Sequence, residues 1–349
     1  MTARQEGRAD GGPGRAGRPG PERTRALEVS HYFEFADVVT GGIPESVKNQ
    51  RKMLEMAGVE YTEEPRLDAS VLHLNLMGPR SAYYAARARR RGTPVVIHTH
   101  TTAEDVRDSF RCSNVLSRAL RPYLAACYGL ADLLVCPSEY NRRVVESYAD
   151  AETTVVTNGV DAEKLSGFER LREGSLDRYD LEPPVVFQVG HVFKRKGLAA
   201  FVETARRLPD LDFAWFGPLD LPLKGRSTRK LIEGAPPNCT FTGFVDDVRT
   251  AYAAGDVFFS PTRVENEAIA LLEAMYAGKA VVVRDIEPFA WLADGTDCLK
   301  ADGAFEAAVA SLRDPDLRER LGGNAARRAE AFALSNVAPR LRSVYEGVA

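Results

Sequence analysis

From residue 28 onward the chain alternates between short apolar runs and longer amphipathic stretches, and this alternation leaves few folds open. The runs at 29–33, 70–76, 94–98, 133–136 and 153–156 predict strands, with helices predicted near 44–57, 80–91, 115–130 and 138–149. The pattern lapses over SGFERLREGSLDRYDLEPP, residues 166–184, which reads as a linker. It resumes with strands predicted at 185–189, 212–216, 239–242, 257–260 and 280–283, each followed by a helix. Strands that alternate with helices build parallel sheets covered on both faces. The predicted fold class is therefore α/β, with two doubly wound domains, 28–175 and 183–333, facing a cleft. Residues 334–349 are predicted as a terminal helix packing back on the first domain.

Residues 1–27 stand apart. They hold six glycines, six arginines and three prolines with almost nothing apolar, which predicts a disordered tail without the apolar region of a secretory signal. A formal charge of -3 argues against a nucleic-acid partner. No apolar run approaches the roughly 20 residues that span a bilayer. The five cysteines are scattered and contain no CxxC, so they read as reduced core thiols of a cytoplasmic protein.

Neither the dinucleotide fingerprint GxGxxG nor the P-loop GxxxxGK(S/T) follows any predicted strand, which argues against a nicotinamide dehydrogenase. Two other glycine-bearing loops do follow strands. In DVVTGGIPESV, Gly41 and Gly42 precede a helix start, where a ligand can approach the backbone and free amides; the alternative is a plain flexible turn. In VFQVGHVFKRKGLAAF, a strand ends at Gly190 and the cations Lys194, Arg195 and Lys196 precede a helix opened by Gly197. Such a run is either a solvated basic turn or, beyond a strand's carboxyl end, a site for a diphosphate.

The stretch SPTRVENEAIALLEAMYAGKAVVV carries Glu265, Glu267 and Glu273 on a segment otherwise built for burial. With a helix predicted to start near Asn266, Glu265 and Glu273 lie roughly 12 Å apart at about 1.5 Å per residue. That exceeds the spacing of a paired acid/base device and suits two contacts on one elongated ligand. Carboxylates accept from the adjacent hydroxyls of sugars and ribose, and first-turn amides between them can take phosphate oxygens. Favourable charge at a helix start accounts equally well for Glu265 and Glu267, but not for Glu273, whose buried carboxylate requires a partner.

Glu265-x7-Glu273 followed by EAMYAGKAVV, with VGHVFKRKG and GFVDDVRTAYAAGDVFFSPT before it, resembles the signature of the family 4 retaining glycosyltransferases. The resemblance runs from about residue 30 to 330 and implies the GT-B fold, two Rossmann-like domains, and a sugar nucleotide as donor. It implies that Glu265 faces the donor sugar, Glu273 the ribose, and Lys196 with a second cation the diphosphate. It likewise implies that Gly243, Phe244 and Val245 lie along the base, and that Gly41, Gly42, Gly190 and the segment Asn266, Glu267, Ala268, Ile269 contribute to the donor site. His191 stands where many members carry arginine, which leaves Arg195 or Lys194 as the second cation, and Glu265-Asn266-Glu267-Ala268 replaces a glycine-rich helix start.

The implied reaction moves a hexose, glucose from UDP-glucose above all, to an acceptor hydroxyl with the anomeric configuration kept and without a metal or other cofactor. The sequences DLD at 210–212 and DPD at 314–316 read as helix-end or loop acids rather than metal ligands. His98 and His100, on one face at a strand's end, are rivals for the family's sugar-contacting histidine, His100 being preferred. The stretches LHLNLMGPRSAYYAARARRRGTPVVIHTHTTAEDVRDSFRCSN and ADLLVCPSEYNRRVV resemble a narrower branch that glucosylates diacylglycerol in membranes. Independently, residues 66–121 hold ten arginines against four acids, a patch suited to an anionic lipid surface or simply a solvated face. The apolar SNVLSRALRPYLAACYGLADLL beside Arg118 and Arg121 adds to an interfacial reading. The resulting expectation is a peripheral enzyme at the inner face of the membrane, acting on a lipid acceptor. A soluble or polysaccharide acceptor is the alternative, and a non-catalytic sugar-nucleotide-binding protein a more distant one.

Overall fold

A computed structural model describes residues 27–106, 113–219 and 226–349. The predicted tail, apart from Leu27, lies outside them, as do Arg107 and Arg111 of the arginine-rich stretch.

The first sheet contains β1 (Glu28–Tyr32), β2 (Glu60–Thr62), β3 (Val71–Leu74), β4 (Val95–His98), β5 (Leu133–Cys136) and β6 (Thr153–Val155). All pair in parallel, in the order β2-β1-β3-β4-β5-β6. The connections are α1 (Gly42–Met56), α2 (Pro79–Arg91), α3 (Ala103–Val106), α4 (Ser113–Tyr128) and α5 (Glu139–Glu146). Every residue of β3, β4 and β5 is buried, which is why these strands read as unbroken apolar runs rather than alternating ones. Local signals set the helix ends: Ser138 caps α5 by accepting from the Asn141 N–H, and Gly92 ends α2 in the left-handed conformation.

After α6 (Ala162–Leu165) and α7 (Arg172–Tyr179), the second sheet takes β7 (Val185–Val189), β8 (Asp212–Phe216), β9 (Cys239–Gly243), β10 (Val257–Ser260), β11 (Ala280–Arg284) and β12 (Leu299–Ala301). Its order is β12-β11-β10-β7-β8-β9, again all parallel. It is covered by α8 (Leu198–Arg207), α9 (Arg226–Glu233), α10 (Arg249–Ala254), α11 (Ile269–Tyr276), α12 (Glu306–Ser311) and α13 (Pro315–Ala329). The chain runs outward from β7 to β9, then returns to lay β10 on the other side of β7. The gap between β7 and β10 is therefore the topological switch point, where open α/β sheets receive ligands.

Three expectations need correction. The stretch expected as a linker is folded: Phe168–Leu171 form a 3-10 turn, Phe168 is buried, and Arg172 of α7 pairs with Asp256 at 2.9 Å. Its apolar period fails because a few anchors hold a mostly charged segment. Second, α11 begins at Ile269, so Glu265 to Ala268 form the loop before the helix rather than its first turn. Third, β2 and β12, three residues each at the sheet edges, were not foreseen; strands that short carry no readable alternation. The final helix, α14 (Leu334–Val348), crosses back to the first sheet, where Val337, Leu341 and Tyr345 pack with Val29, Val71 and Val96. Cys127, Cys136, Cys239 and Cys298 are free and buried, and no described helix is long and apolar enough to cross a membrane.

Candidate active site

The loop after β7 and the loop after β10 are bound together at the switch point. The Arg263 N–H and the Thr262 hydroxyl both donate to the Arg195 carbonyl, at 2.8 and 3.2 Å. Gly197 makes this approach possible: its φ is +85°, and a Cβ there would lie 2.3 Å from the Pro261 carbonyl oxygen. The contact brings Lys196 to Glu265, whose ammonium and carboxylate form an ion pair. Both groups border a cleft of about 590 Å³ between the two domains, a volume typical of small-molecule sites.

Glu273 lies in the same cleft, about one turn inside α11. The Tyr252 hydroxyl donates to it at 2.6 Å and the Lys164 ammonium at 3.0 Å, which supplies the partners a buried carboxylate requires. Lys164 also reaches Glu45 of α1, at 2.9 Å, so one lysine ties both domains together. Burial pulls its ammonium down, but the carboxylates of Glu273 and Glu45 outweigh that and its pKa is raised. At the start of α11 no side chain caps the helix, and Ile269 and Ala270 border the cleft. That leaves the positive end of the helix facing the space between Glu265 and Glu273.

On the opposite wall, Gly41 and Gly42 begin α1, and Gly41 has φ +92°. A Cβ on Gly41 would meet the His191 ring at 2.8 Å, and the Thr40 hydroxyl bonds His191 Nε2 at 3.2 Å. Gly190 and His191 border the cleft at the end of β7, and Phe244 and Val245 border it beyond β9. Gly243, with φ +75°, ends β9 just before them without lining the cleft itself. Arg195 borders the cleft and pairs with Asp105 of the first domain at 3.1 Å, whereas Lys194 is exposed and outside it. Burial raises the Asp105 pKa even though Arg195 opposes the shift.

The two candidate histidines separate. His100 borders the cleft, while His98 is stacked behind it at 4.2 Å and does not. Asn266 and Glu267 border the cleft, as expected of donor-site residues, and their side chains also reach the first domain. The Asn266 amide donates to the His100 carbonyl at 3.1 Å, and the Ser138 hydroxyl donates to the Asn266 carbonyl at 2.6 Å. Glu267 accepts from the Thr157 hydroxyl at 2.5 Å and the Asn158 N–H at 2.7 Å. Burial pushes the Glu267 carboxyl up to about 7 against these donors. Both residues thus join the domains while bordering the cleft together with Ala268. Sequence reasoning missed Tyr252, Lys164 and Asp105, none of which carries a spacing signal of its own. Three acids of the DLD and DPD sequences have structural partners: Asp210 pairs with Arg313 at 2.9 Å, Asp212 accepts from the Glu182 N–H at 2.7 Å, and Asp314 caps α13.

Comparison with known proteins bears on the family and the fold. The family model described as Glycosyltransferase Family 4 matches residues 19–164, and that described as Glycosyl transferases group 1 matches residues 183–314. A processive diacylglycerol alpha-glucosyltransferase of Acholeplasma laidlawii is 32% identical over 272 residues, 76% of this chain and 81% of that protein. A phosphatidyl-myo-inositol mannosyltransferase of Mycolicibacterium smegmatis is 29% identical over 80% of this chain and 72% of its own. Among solved structures, Anabaena HepE in complex with UDP-glucose superposes with a TM-score of 0.72 at 14% identity, covering 92% of this chain and 99% of that one. Sucrose-phosphate synthase of Thermosynechococcus elongatus gives 0.73 at 15% identity over 92% and 98%. At these identities the structures speak to the fold, which is GT-B.

Proposed function

The chain belongs to the family 4 glycosyltransferases, and from that premise we propose that it transfers glucose from UDP-glucose to the free hydroxyl of a diacylglycerol-like membrane lipid, with retention and without a metal. The observation that carries the donor half is the joint placement of Lys196, Glu265 and Glu273 around one cleft at the switch point of the second sheet. In this reading Glu273 accepts from the ribose hydroxyls, Lys196 and Arg195 face the diphosphate, and Glu265 with His100 faces the sugar. The bond between the anomeric carbon and the diphosphate breaks, and a bond to the acceptor oxygen forms on the same face. The acceptor's proton passes to the departing phosphate oxygen. Fixed cations and helix amides favour this step because they act most strongly once charge has grown on the leaving group.

The lipid half draws support from the relatives, whose names specify diacylglycerol and phosphatidyl-myo-inositol as acceptors. The surface of the first domain adds to it. Phe35 and Val38 stand exposed on the loop after β1, and Glu34 ties that loop to α2 by accepting from the N–H groups of Arg80 and Ser81 at 3.1 and 2.7 Å. Exposed Tyr83 follows, with the Arg87 guanidinium 5.9 Å from its ring centroid, and Arg89, Arg90 and Arg91 are exposed as well. Apolar and aromatic tips ringed by arginine suit the interface of an anionic membrane. A peripheral enzyme at the inner membrane face follows from this reading.

Purified protein mixed with UDP-glucose and vesicles tests both halves. UDP should be released when diacylglycerol is present and not in its absence, and EDTA should leave the rate unchanged. Release with UDP-glucose and a soluble glycan, but not with lipid, would instead select the soluble-acceptor alternative.

A further inference from the structure

Four of the five histidines, His31, His73, His98 and His100, form one buried column in the first domain. Neighbouring ring centroids lie 4.8, 5.8 and 4.2 Å apart along it. Only His100, at its end, borders the cleft. Behind His100 two amide side chains reach both it and His31. The Gln50 Oε1 is 2.9 Å from His31 Nε2, which turns the Gln50 amide nitrogen toward His100 Nε2 at 3.3 Å and the Ser46 hydroxyl at 3.2 Å. Asn75 places its Oδ1 3.1 Å from His100 Nε2 and its amide nitrogen toward His31 and the Tyr32 carbonyl.

One ring nitrogen cannot serve both amides. If His100 Nε2 carries the proton it donates to Asn75 Oδ1, and the Gln50 amide still has Ser46. If Nε2 is bare, a buried Asn75 oxygen faces a lone pair with nothing to accept, which costs the desolvation of that group. We propose that Asn75 is a positioning residue that fixes the tautomer of His100, keeping a proton on Nε2 and presenting Nδ1 to the cleft as a hydrogen-bond acceptor. The groups that titrate around His100 are His98, stacked on it, and His31 across the amides, with Arg51 acting on His31. Burial, with His31 adding to it, holds the His100 pKa down to about 3, so the ring is neutral at working pH.

The consequence, which rests on the donor reading above, concerns sugar choice. A neutral Nδ1 accepts from a sugar hydroxyl and repels a carboxylate, so a neutral hexose is admitted and a hexuronic acid disfavoured. Asn75→Asp would relax that preference in mildly acid solution, since an aspartate behind Nε2 stabilises the imidazolium by about 1 to 3 pK units and so lifts a ring held near 3 to roughly 4 to 6.

The test begins without any donor. Nitrogen NMR of histidine-labelled, ligand-free protein, with His100 assigned by its loss in His100→Gln, should show the Nε2–H tautomer at pH 7. Asn75→Asp should raise the His100 pKa by at least about one unit, and Asn75→Ala should release the tautomer to a mixture. A wild-type ring protonated on Nδ1 would overturn the proposal even if the aspartate variant does not fold, as would an unchanged tautomer in Asn75→Ala. Turnover then adds a second arm, read in mildly acid solution where the variant ring is charged: at about pH 5 the ratio of UDP-glucose to UDP-glucuronate use should fall at least about twofold in Asn75→Asp relative to wild type, and an unchanged ratio there contradicts the specificity claim. Absence of all turnover would count against the donor reading and leave the tautomer result standing.

Discussion

Lys196 and Glu265 lie 69 positions apart in sequence and are joined by an ion pair at the gap between β7 and β10. The pair exists because adjacent parallel strands deliver their following loops to the same crevice, and because Gly197 lets those loops touch. Its chemistry follows from position: a cation and an acid sit side by side where phosphate and sugar of one ligand would meet. Lys196→Ala should lower kcat by about 10² to 10³, the scale for losing one donor to a developing oxyanion, with a smaller change in the KM for donor. Steady-state UDP release at saturating acceptor measures this.

In the proposed donor reading, Glu273 serves binding rather than turnover. Glu273→Gln keeps the shape but loses the charge that receives two hydroxyl donors, so UDP affinity should fall about 10- to 100-fold, from roughly 1.5 to 3 kcal/mol for hydrogen bonds to a charged group. Tyr252→Phe should show a smaller loss in the same direction. Calorimetric titration with UDP reads both, and an unchanged affinity in Glu273→Gln would remove this residue from the site.

The close packing of the two loops has its own cost test. Gly197→Ala adds a clash with Pro261 to a positive φ, together about 3 kcal/mol from roughly 1 to 2 for the backbone and 1 to 3 for overpacking. Gly58 supplies the control, since its φ is +65° but a Cβ there meets nothing within 4 Å. Chemical denaturation should place Gly197→Ala well below Gly58→Ala in stability.

Much of the site could be read in advance because it depends on short-range order. Strands 133–136, 185–189, 212–216 and 257–260 coincide with the predicted runs, and the loops bearing Gly190, Lys196 and Glu265 follow from them. Glu273 announced itself as an acid among buried residues. What escaped the sequence was pairing across the domains. Lys164 sits in a short polar helix with no periodicity, yet it closes on Glu273 and Glu45. Glu267 borders the cleft as its sequence position suggests, but its hold on Thr157 and Asn158 is set by how the domains face one another. The histidine column was half visible, since strand alternation aligns His98 with His100, but the amides of Gln50 and Asn75 come from other elements.

Glu267 makes a pH prediction with a definite sign. A carboxyl raised to about 7 binds its proton more tightly in the folded state, so its contribution to stability falls as pH rises from the ordinary carboxylate range through 7. Glu267→Gln removes that loss while Thr157 can rotate to accept. The variant should match wild type near pH 5 and exceed it by about 2 to 3 kcal/mol at pH 8, at about 1.36 kcal/mol per pK unit. The buried histidines act oppositely. With His31 lowered to about 4 and His100 to about 3, both proteins should lose stability as pH falls below 6.5. Urea midpoints across pH 4 to 8 separate the two effects (a range on the order of the pK values involved).

The apolar tips of the first domain predict where lipid is met. Phe35→Ser with Val38→Ser should weaken co-sedimentation with anionic vesicles by at least about tenfold, given roughly 1.5 to 3 kcal/mol for each apolar side chain withdrawn from water. Salt should weaken the remaining arginine-dependent binding further. Binding of UDP-glucose in the absence of lipid should be unaffected.

The most direct measurement of the central claim is calorimetric titration of UDP-glucose into wild type, Glu273→Gln and the Glu273→Gln/Lys196→Ala pair. The account predicts one saturable site per chain, weakened at least about tenfold by the first change and further by the second. No saturable binding by wild type, or the same affinity in all three proteins, would contradict it.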